Sequence, residues 1–422
     1  MKREKLWYQP RKNDMNFSNL LSSKKLTLIA SFLGLYLISA GISLLFFSYV
    51  VARPGKVDTG VKRARINLNL PKTEECPING GMFNVDEKNI WETRRPITAV
   101  IENHLESRPQ SGLSKADVVY EAVAEGGITR FLAVFFCNVI AEEVDVAPVR
   151  SARIYFVNLA AGYGTDPIFL HQGGANNFCS NCPGGVKTRG QVAKEVDAYA
   201  ALDKLGWRNG QHGNDMDGGF NVGFPVVERN QYRLGSELAA WEHSVVASID
   251  EVYNEAKKRG FEFQDEEGNA WNENFRMWEF EDGKASTSPT ATDITFAFWE
   301  GKGEYDVAWK YDTASNSYKR FNGGSPHTDW EFDKPQLTAS DVVIMFAKEK
   351  SMVDEEGHQY YEVVGKGDAL VFKNGEVIQS LWKKKSQLDR EIFYDKNDKE
   401  IVFTRGPIWV EILPAGNEVN YD

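Results

Sequence analysis

The chain has 422 residues, of which 42% are hydrophobic, 26% charged and 12% aromatic, a globular composition that excludes a disordered or fibrous protein. Its 49 basic residues are outnumbered by 60 acidic ones, which gives a net charge of −11 at pH 7. An acidic chain repels a phosphate backbone, so we expect no nucleic-acid partner.

The first feature along the chain is an uncharged segment, 26–52, that follows a basic tail over 1–25. About 20 apolar residues span a bilayer, whereas the apolar core of a signal peptide is only about 7–15 residues long. No small-x-small cleavage pattern and no lipid-acceptor cysteine accompanies the segment. We therefore predict an uncleaved, single-pass transmembrane helix over 26–52, with a cytoplasmic N-terminus and the main body outside the cytoplasm.

Beyond this helix the pattern predicts a stalk and two domains. Residues 53–90 contain Pro and Gly clusters without sustained periodicity, as linkers do. Residues 91–285 mix strand and helix patterns, and 286–418 consist almost entirely of short strand patterns. The turn-rich segment 276–291 marks the boundary between them. The expected fold class is α+β, with a mixed N-terminal domain and a β-rich C-terminal domain.

Three local elements stand out in the mixed region. Val-, Ile- and Phe-rich runs flank Gly126–Gly127 within 117–136, which predicts a β-hairpin with a two-residue turn. The segment 154–164 is predicted to be helical. Residues 244–260 have apolar positions at three- and four-residue steps and end at Gly260, which predicts a helix with a glycine cap.

Two arginines, Arg150 and Arg153, precede the predicted helix over 154–164. Guanidinium groups at a helix entrance lie beside free backbone N–H groups, where a phosphate or carboxylate can bind. The alternative is ordinary pairing with the nearby acids Glu142, Glu143 and Asp145.

The predicted hairpin carries Glu121, Glu125 and Arg130. An even separation predicts that Glu121 and Glu125 share one face of the strand. Paired carboxylates can act in acid–base chemistry or hold a cation. The alternative is a cross-strand ion pair with Arg130 on a solvated face.

Among the histidines, His171 ends an apolar strand and precedes Gln172–Gly173–Gly174, a position typical of binding sites in α/β folds. His243 and His327 are further candidates. A lone histidine is more often a structural hydrogen-bonding group than a ligand.

The cysteines allow several arrangements. Cys179 and Cys182 form a CxxC pattern, for which a local disulfide is favoured over free thiols and over a zinc site completed by His171. Cys76 and Cys137 allow a second bridge, but spacing alone does not determine the pairing. Phosphate-loop, dinucleotide-binding, HExxH and GxSxG motifs are absent from the sequence, so we predict no cofactor and no bound metal.

Long strings along the chain resemble the YerB-like family of bacterial envelope proteins. They are RRPITAVIENHLESRPQSGLSKADVVYEAVAEGGITRFLAVFF (94–136), APVRSARIYFVNLA (147–160), FLHQGG (169–174), FKNGEVIQSLWKKKSQLDREIFYDKNDKE (372–400) and GPIWVEILPAGN (406–417). The resemblance implies a layered α/β N-terminal domain, a β-rich C-terminal domain and an extracytoplasmic location. It implies no reaction, because the family has no established activity.

Three functions fit these observations. The favoured one is a membrane-anchored extracytoplasmic module that binds an anionic envelope polymer or a partner protein, with Arg130, Arg150, Arg153, His171, Glu121 and Glu125 as candidate ligand-binding residues. The second is an envelope hydrolase or transferase with Glu121 or Glu125 as base and His171 as acid. The third is a scaffold in a wall or division complex that uses the β-rich domain as its docking surface. Aromatic patches around Trp299, Trp309, Trp330, Trp382 and Trp409 fit this reading, although most of these side chains are expected to be core.

Overall fold

The computed structural model describes residues 23–46, 67–179, 187, 190–210, 212–265 and 267–422. Two compact units divide the chain, 1–63 and 64–422. Parts of the predicted tail (1–22), membrane segment (47–52) and stalk (53–66) lie outside the described residues. The first unit contains one described helix, α1 (Ser23–Phe46). No helix in the described part of the chain combines the length and hydropathy needed to cross a membrane, so the predicted transmembrane helix over 26–52 is not supported.

The second unit is mostly β-structure. Its described helices are α2 (Val85–Trp91), α3 (Ile154–Ala160), α4 (Ala198–Lys204) and α5 (Ile249–Lys258). Its described strands, in chain order, are β1 (Glu74–Glu75), β2 (Met82–Phe83), β3 (Ile97–Glu102), β4 (Val118–Glu125), β5 (Ile128–Phe135), β6 (Asp145–Val146), β7 (Ile168–His171), β8 (Asp215–Asp217), β9 (Val227–Arg229), β10 (Val245–Ser248), β11 (Glu279–Glu281), β12 (Asp293–Phe296), β13 (Val307–Asp312), β14 (Ser317–Asn322), β15 (Ser325–Pro326), β16 (Thr338–Ala339), β17 (Asp341–Lys350), β18 (Tyr360–Glu362), β19 (Gly365–Lys373), β20 (Glu376–Lys384), β21 (Ile392–Asp395), β22 (Val402–Thr404), β23 (Ile408–Pro414) and β24 (Val419–Tyr421).

One large sheet runs through both predicted domains. Its strand order is β21-β20-β19-β17-β23-β4-β5-β3-β7-β8, with β18 added beside β17. The central strand β23 pairs in parallel with β17 on one side and with β4 on the other. β4, β5 and β3 are buried along almost their whole length, which explains their nearly continuous apolar sequences.

A second sheet, β15-β14-β13-β12-β24 with β16 beside β14, packs against the large one. Trp309 of β13 and Trp409 of β23 meet edge to face, with ring centroids 5.3 Å apart. Both side chains are buried, as is Trp382. These three tryptophans are core residues, as expected for most of the five, whereas Trp299 and Trp330 are only partly buried. The scaffold hypothesis stays a prediction.

The predicted hairpin is confirmed as β4 and β5. Gly126 and Gly127 have φ angles of 57° and 83°, the left-handed backbone that a two-residue primed turn requires and that glycine adopts without a Cβ clash. The helix predicted over 154–164 is confirmed as the shorter α3.

The helix predicted over 244–260 begins later than expected. Val245–Ser248 form β10, which pairs with β9 and β6, and α5 starts only at Ile249. Pairing with two neighbouring strands satisfies the backbone of this segment, so tertiary context overrides its helical periodicity.

A disulfide joins Cys76 to Cys137, across 61 residues of chain. Both cysteines are buried, and Asp117 accepts hydrogen bonds from the backbone N–H groups of Phe136 (2.6 Å) and Cys137 (3.0 Å) beside the bridge. The bridge ties the residue that follows β1 to the segment just after β5.

Removing this bridge should destabilise the second unit strongly. In the chain-entropy account, closing a loop of this length stabilises the folded state by about 4 kcal/mol. We expect the C76S/C137S variant to lose about that much free energy of unfolding in urea titrations, and the C179S/C182S control to lose less because its loop is short. Equal losses in the two variants would contradict this account.

Candidate functional site

The hairpin of β4 and β5 carries three of the predicted site residues, and a β-bulge separates them. Glu121 pairs with Phe131, but the register shifts before Glu125, which pairs with Ile128. Because side chains alternate along a strand, the extra residue turns Glu125 onto the face of Arg130, opposite Glu121. The prediction that Glu121 and Glu125 share a face is therefore wrong.

Glu125 lies between two buried arginines. Its Oε1 accepts a hydrogen bond from Arg130 Nη2 at 2.6 Å, and its Oε2 accepts one from Arg153 Nη2 at 2.6 Å. Arg130 also donates to the carbonyl oxygen of Ser151 at 3.0 Å. Burial alone would raise the pKa of Glu125, but the charges of Arg130 and Arg153 outweigh it and lower that pKa to about 2. One carboxylate therefore holds two of the three predicted arginines.

Arg150 has a different partner, Glu102 at the end of β3. Arg150 Nε donates to Glu102 Oε1 at 2.9 Å, and the other oxygen of Glu102 accepts a 2.8 Å bond from His243 Nδ1. Glu142, one of the nearby acids considered above, pairs instead with Lys115. The predicted arginines thus form ion pairs with acids on the sheet, and their role in ligand binding stays a prediction.

On the opposite face, Glu121 belongs to a fully buried polar network. It pairs with Arg320 of β14, and its Oε1 accepts hydrogen bonds from Thr129 Oγ1 (2.5 Å) and Asn103 Nδ2 (3.0 Å). Arg320 Nη1 donates to His327 Nδ1 at 2.5 Å. Burial and the charges of Arg320 and Arg108 hold the pKa of His327 well below its ordinary range, so this imidazole is neutral. The network joins the two sheets.

Glu411 of β23 lies beside this network. Its Oε1 accepts a 3.0 Å bond from Trp309 Nε1. Burial and the neighbouring charge of Glu121 raise the pKa of Glu411 well above its ordinary value. The raised pKa favours the protonated form of Glu411. Glu121 accepts a direct hydrogen bond from Arg320, whereas Glu411 Oε1 lies 3.7 Å from Arg320 Nε.

His171 is completely buried and both of its ring nitrogens are engaged. Nε2 donates to Asp215 Oδ1 at 2.5 Å, and Nδ1 donates to the carbonyl oxygen of Gly173 at 2.6 Å. Burial alone would lower the pKa of His171, but Asp215 and Asp217 raise it. Arg208 bridges the same two aspartates. This arrangement supports a structural imidazolium rather than an acid that reaches a substrate, and neither Glu121 nor Glu125 contacts it within the described chain.

Cys179 takes part in a disulfide bond, and Cys182 lies outside the described residues. The pairing of these two cysteines therefore stays a prediction. The alternative zinc site of Cys179, Cys182 and His171 is wrong, because Cys179 carries no thiolate and His171 has no free nitrogen.

A pocket of about 260 Å³ lies between the loop after β3 and the turn that joins β14 to β15. Leu105, Arg108 and Pro109 line it from one side, and Asn322, Pro326 and His327 line it from the other; the acidic Glu304 also lines it. The sequence patterns pointed to His327 but not to the other lining residues. Arg108 and Asn322 are more than two hundred positions apart, and no local motif reports that they meet.

Arg108 is a positively charged residue that lines this pocket, and its side chain donates hydrogen bonds to neutral oxygen atoms. Nε donates to Asn103 Oδ1 (3.0 Å), Nη2 to the carbonyl of Asn103 (3.2 Å) and Nη1 to the carbonyl of Glu304 (2.8 Å). Burial lowers the pKa of Arg108 to about 10; the charge of Arg320 acts in the same direction, and the charges of Glu121 and Glu304 oppose it. The side chain stays protonated at neutral pH.

Asn322 adds an unpaired amide to the same pocket. Its side chain is only 5% exposed, and neither its Nδ2 nor its Oδ1 has a hydrogen-bond partner. Leaving a buried polar group unpaired costs about 1–3 kcal/mol. Both amide atoms are buried, so a ligand with a donor and an acceptor would remove this cost once the side chain turned into the pocket. With Arg108, this makes the pocket a candidate binding site.

The pairing of Glu125 predicts a pH-dependent contribution to stability. Replacing Glu125 by Gln leaves Arg130 and Arg153 without a counter-charge, and because Glu125 is about a third exposed we expect a loss of about 2 kcal/mol at neutral pH. The depressed pKa means that the contribution is complete above about pH 4.5 and disappears as the pH falls toward 2. Urea unfolding at about pH 7 and about pH 3 checks this. The exposed control Glu142→Gln should change stability by less than about 0.5 kcal/mol at both.

Glu121 and Glu411 both lie near Arg320, and we expect replacement by Gln to lower the free energy of unfolding by different amounts at the two positions. Glu411→Gln replaces a neutral acid by a neutral amide of similar shape, so we expect a loss below about 1 kcal/mol at neutral pH. Glu121→Gln removes the counter-charge of a buried arginine and should cost about 3 kcal/mol or more. Chemical unfolding of both variants measures the difference, and equal losses would show that Glu411 is also ionised.

Comparison with known proteins identifies the family to which the chain belongs. Residues 80–213 match the N-terminal domain, and residues 294–410 the C-terminal domain, of a family described as Protein of unknown function (DUF3048). "Putative lipoprotein YerB" of Bacillus subtilis (strain 168) is 30% identical over 330 residues, 78% of this chain and 83% of that protein. The crystal structure of YerB protein from Bacillus subtilis has a TM-score of 0.60 and 26% identity, and the match covers 82% of this chain and 99% of that one. The resemblance read from the sequence is thereby confirmed, and the chain belongs to the YerB-like family.

Proposed function

We propose that this protein is an extracytoplasmic, envelope-associated binding protein, and that the Arg108 pocket takes the anionic group of an envelope ligand. The location is supported by the name of the relative, which describes a lipoprotein. The uncharged run over 26–52 supports, from sequence alone, an anchor with a cytoplasmic N-terminus. We retain that anchor as part of the proposal.

The observation that carries the proposal is the pairing state of Arg108. Arg130, Arg150 and Arg153 have carboxylate partners, whereas the recorded bonds of Arg108 end on neutral oxygens. Arg108 is half-buried and feels the charges of Glu121 and Glu304, but its hydrogen bonds reach no carboxylate. A carboxylate or phosphate in the pocket would supply a directly bonded counter-charge. The site proposed from the sequence therefore moves from the paired arginines to Arg108.

The size and chemistry of the pocket define the ligand group. A volume of about 260 Å³ is below the usual range for a drug-sized molecule, so the pocket fits one charged end group rather than a whole polymer unit. Once turned into the pocket, the amide of Asn322 can donate to the anion and accept from a neighbouring hydroxyl or amide. A terminal carboxylate of a wall peptide and a phosphate of an envelope polymer share this chemistry.

Thermal shift and calorimetry on the full chain in detergent test the proposal. The probes are a peptide with a free terminal carboxylate, the same peptide as an amide, and glycerol phosphate. We expect one anionic probe to bind, and Arg108→Gln to weaken it by about 10–100-fold, because a hydrogen bond to a charged group contributes about 1.5–3 kcal/mol. The control Arg229→Gln changes an exposed arginine outside the pocket and should leave binding unchanged.

If no anionic probe raises the melting temperature or gives a calorimetric binding signal, and the Arg108→Gln variant is folded, the anion site is overturned. The search would then move to protein partners. Equal binding of the peptide acid and the peptide amide would show that charge is not recognised. Both outcomes would leave the family and the fold unaffected.

A further inference from the structure

We propose that His104, Glu106 and His243 form a binding site for Zn²⁺. One ligand atom from each of these three side chains lies within 4.8 Å of the other two. Glu106 Oε2 is 3.7 Å from His243 Nε2, and the two imidazole rings are stacked with centroids 4.8 Å apart. Two residues of the set come from one turn, at the 3₁₀ helix Leu105–Ser107, and the third from the 3₁₀ helix Trp241–His243.

The hydrogen bonding of His243 prepares it as a metal ligand. Its Nδ1 is 2.8 Å from Glu102 Oε2, and since a carboxylate only accepts, Nδ1 carries the proton and Nε2 presents a lone pair. Glu102 is held in turn by Arg150 through its other oxygen. A carboxylate behind a histidine is the usual outer-sphere arrangement at zinc, where it fixes the tautomer and the ring orientation.

The other two side chains must move to complete the set. A metal lies in the plane of each imidazole that binds it, and the rings of His104 and His243 are stacked at an interplanar angle of 17°, so His104 must turn its ring out of the stack. His104 Nδ1 accepts only a long bond, 3.2 Å, from the backbone N–H of Glu106, so either of its nitrogens can bind a metal once that bond is given up. The side chain of Glu106 is 70% exposed and free to move the short distance that a metal bond of about 2 Å requires.

The ligand types select the metal. Two imidazole nitrogens and one carboxylate oxygen suit Zn²⁺, whereas Ca²⁺ and Mg²⁺ prefer sites made of oxygen. Three protein ligands leave a fourth position for water or for a group from another molecule. The disulfide of Cys179 removes a thiolate that could otherwise compete for the metal.

Metal titration of the full chain, stripped with EDTA and kept in detergent, tests the site. Competition with a chromophoric chelator should show one Zn²⁺ per chain, and Co²⁺ should give the visible absorption of a four-coordinate site. We expect His104→Ala to weaken Zn²⁺ binding by more than about 100-fold, and Glu102→Gln, an outer-sphere change, by about 10–100-fold. His212→Ala, an exposed histidine outside the set, is the matched control and should have no effect.

His243 is buried and its replacement risks the fold, so the decisive variants are His104→Ala and Glu106→Gln, both on the more exposed side. Near-ultraviolet circular dichroism checks that they fold. Absence of stoichiometric Zn²⁺ binding at micromolar metal, or binding that both variants leave unchanged, would overturn the proposal. Neither result bears on anion binding in the Arg108 pocket, which is measured without metal.

Discussion

The ion pair between Arg320 and Glu121 is the interaction on which the arrangement of the two sheets depends. Arg320 belongs to the small sheet and Glu121 to the large one, and both side chains are fully buried. The guanidinium also lies 4.7 Å from the ring centroid of Trp409. An isolated buried charge is far more costly than a packing defect, so only the position of β14 directly over β4 satisfies both groups. Apolar contacts alone would allow the two sheets to pack in several positions relative to each other.

The same network leads to the candidate pocket. Asn103 donates to Glu121 and accepts from Arg108, and Gln110 accepts from His327 while donating to Asn103. These neutral side chains connect the buried ion pair to the pocket, and the charge of Glu121 acts on Arg108 across them without a direct ion pair. The network therefore positions Arg108 by hydrogen bonds and leaves it without a directly bonded carboxylate, and a binding site needs both properties.

Much of the fold follows from the sequence, because hairpin turns and buried strands have local signals. The Gly126–Gly127 turn and the strands around it are of this kind. The direction of the Glu125 side chain could not be predicted from the sequence. A one-residue bulge moves this side chain to the other face of the strand, and the alternation of polar and apolar residues does not reveal the bulge. The start of α5 was missed because β9 and β6 compete for its first residues. The pocket at Arg108 and Asn322 depends on contacts between distant segments, which periodicity does not report.

The position of β23 has a consequence for how the protein is made. This strand lies between β17 and β4 and joins the two halves of the large sheet, yet it follows all of the strands it connects in the order of synthesis. Until β23 emerges, β4 and β17 each present an open strand edge, the kind of surface that chaperones and proteases recognise. A chain interrupted before β23 therefore keeps two unpaired strand edges, whereas a chain that includes β23 pairs both at once.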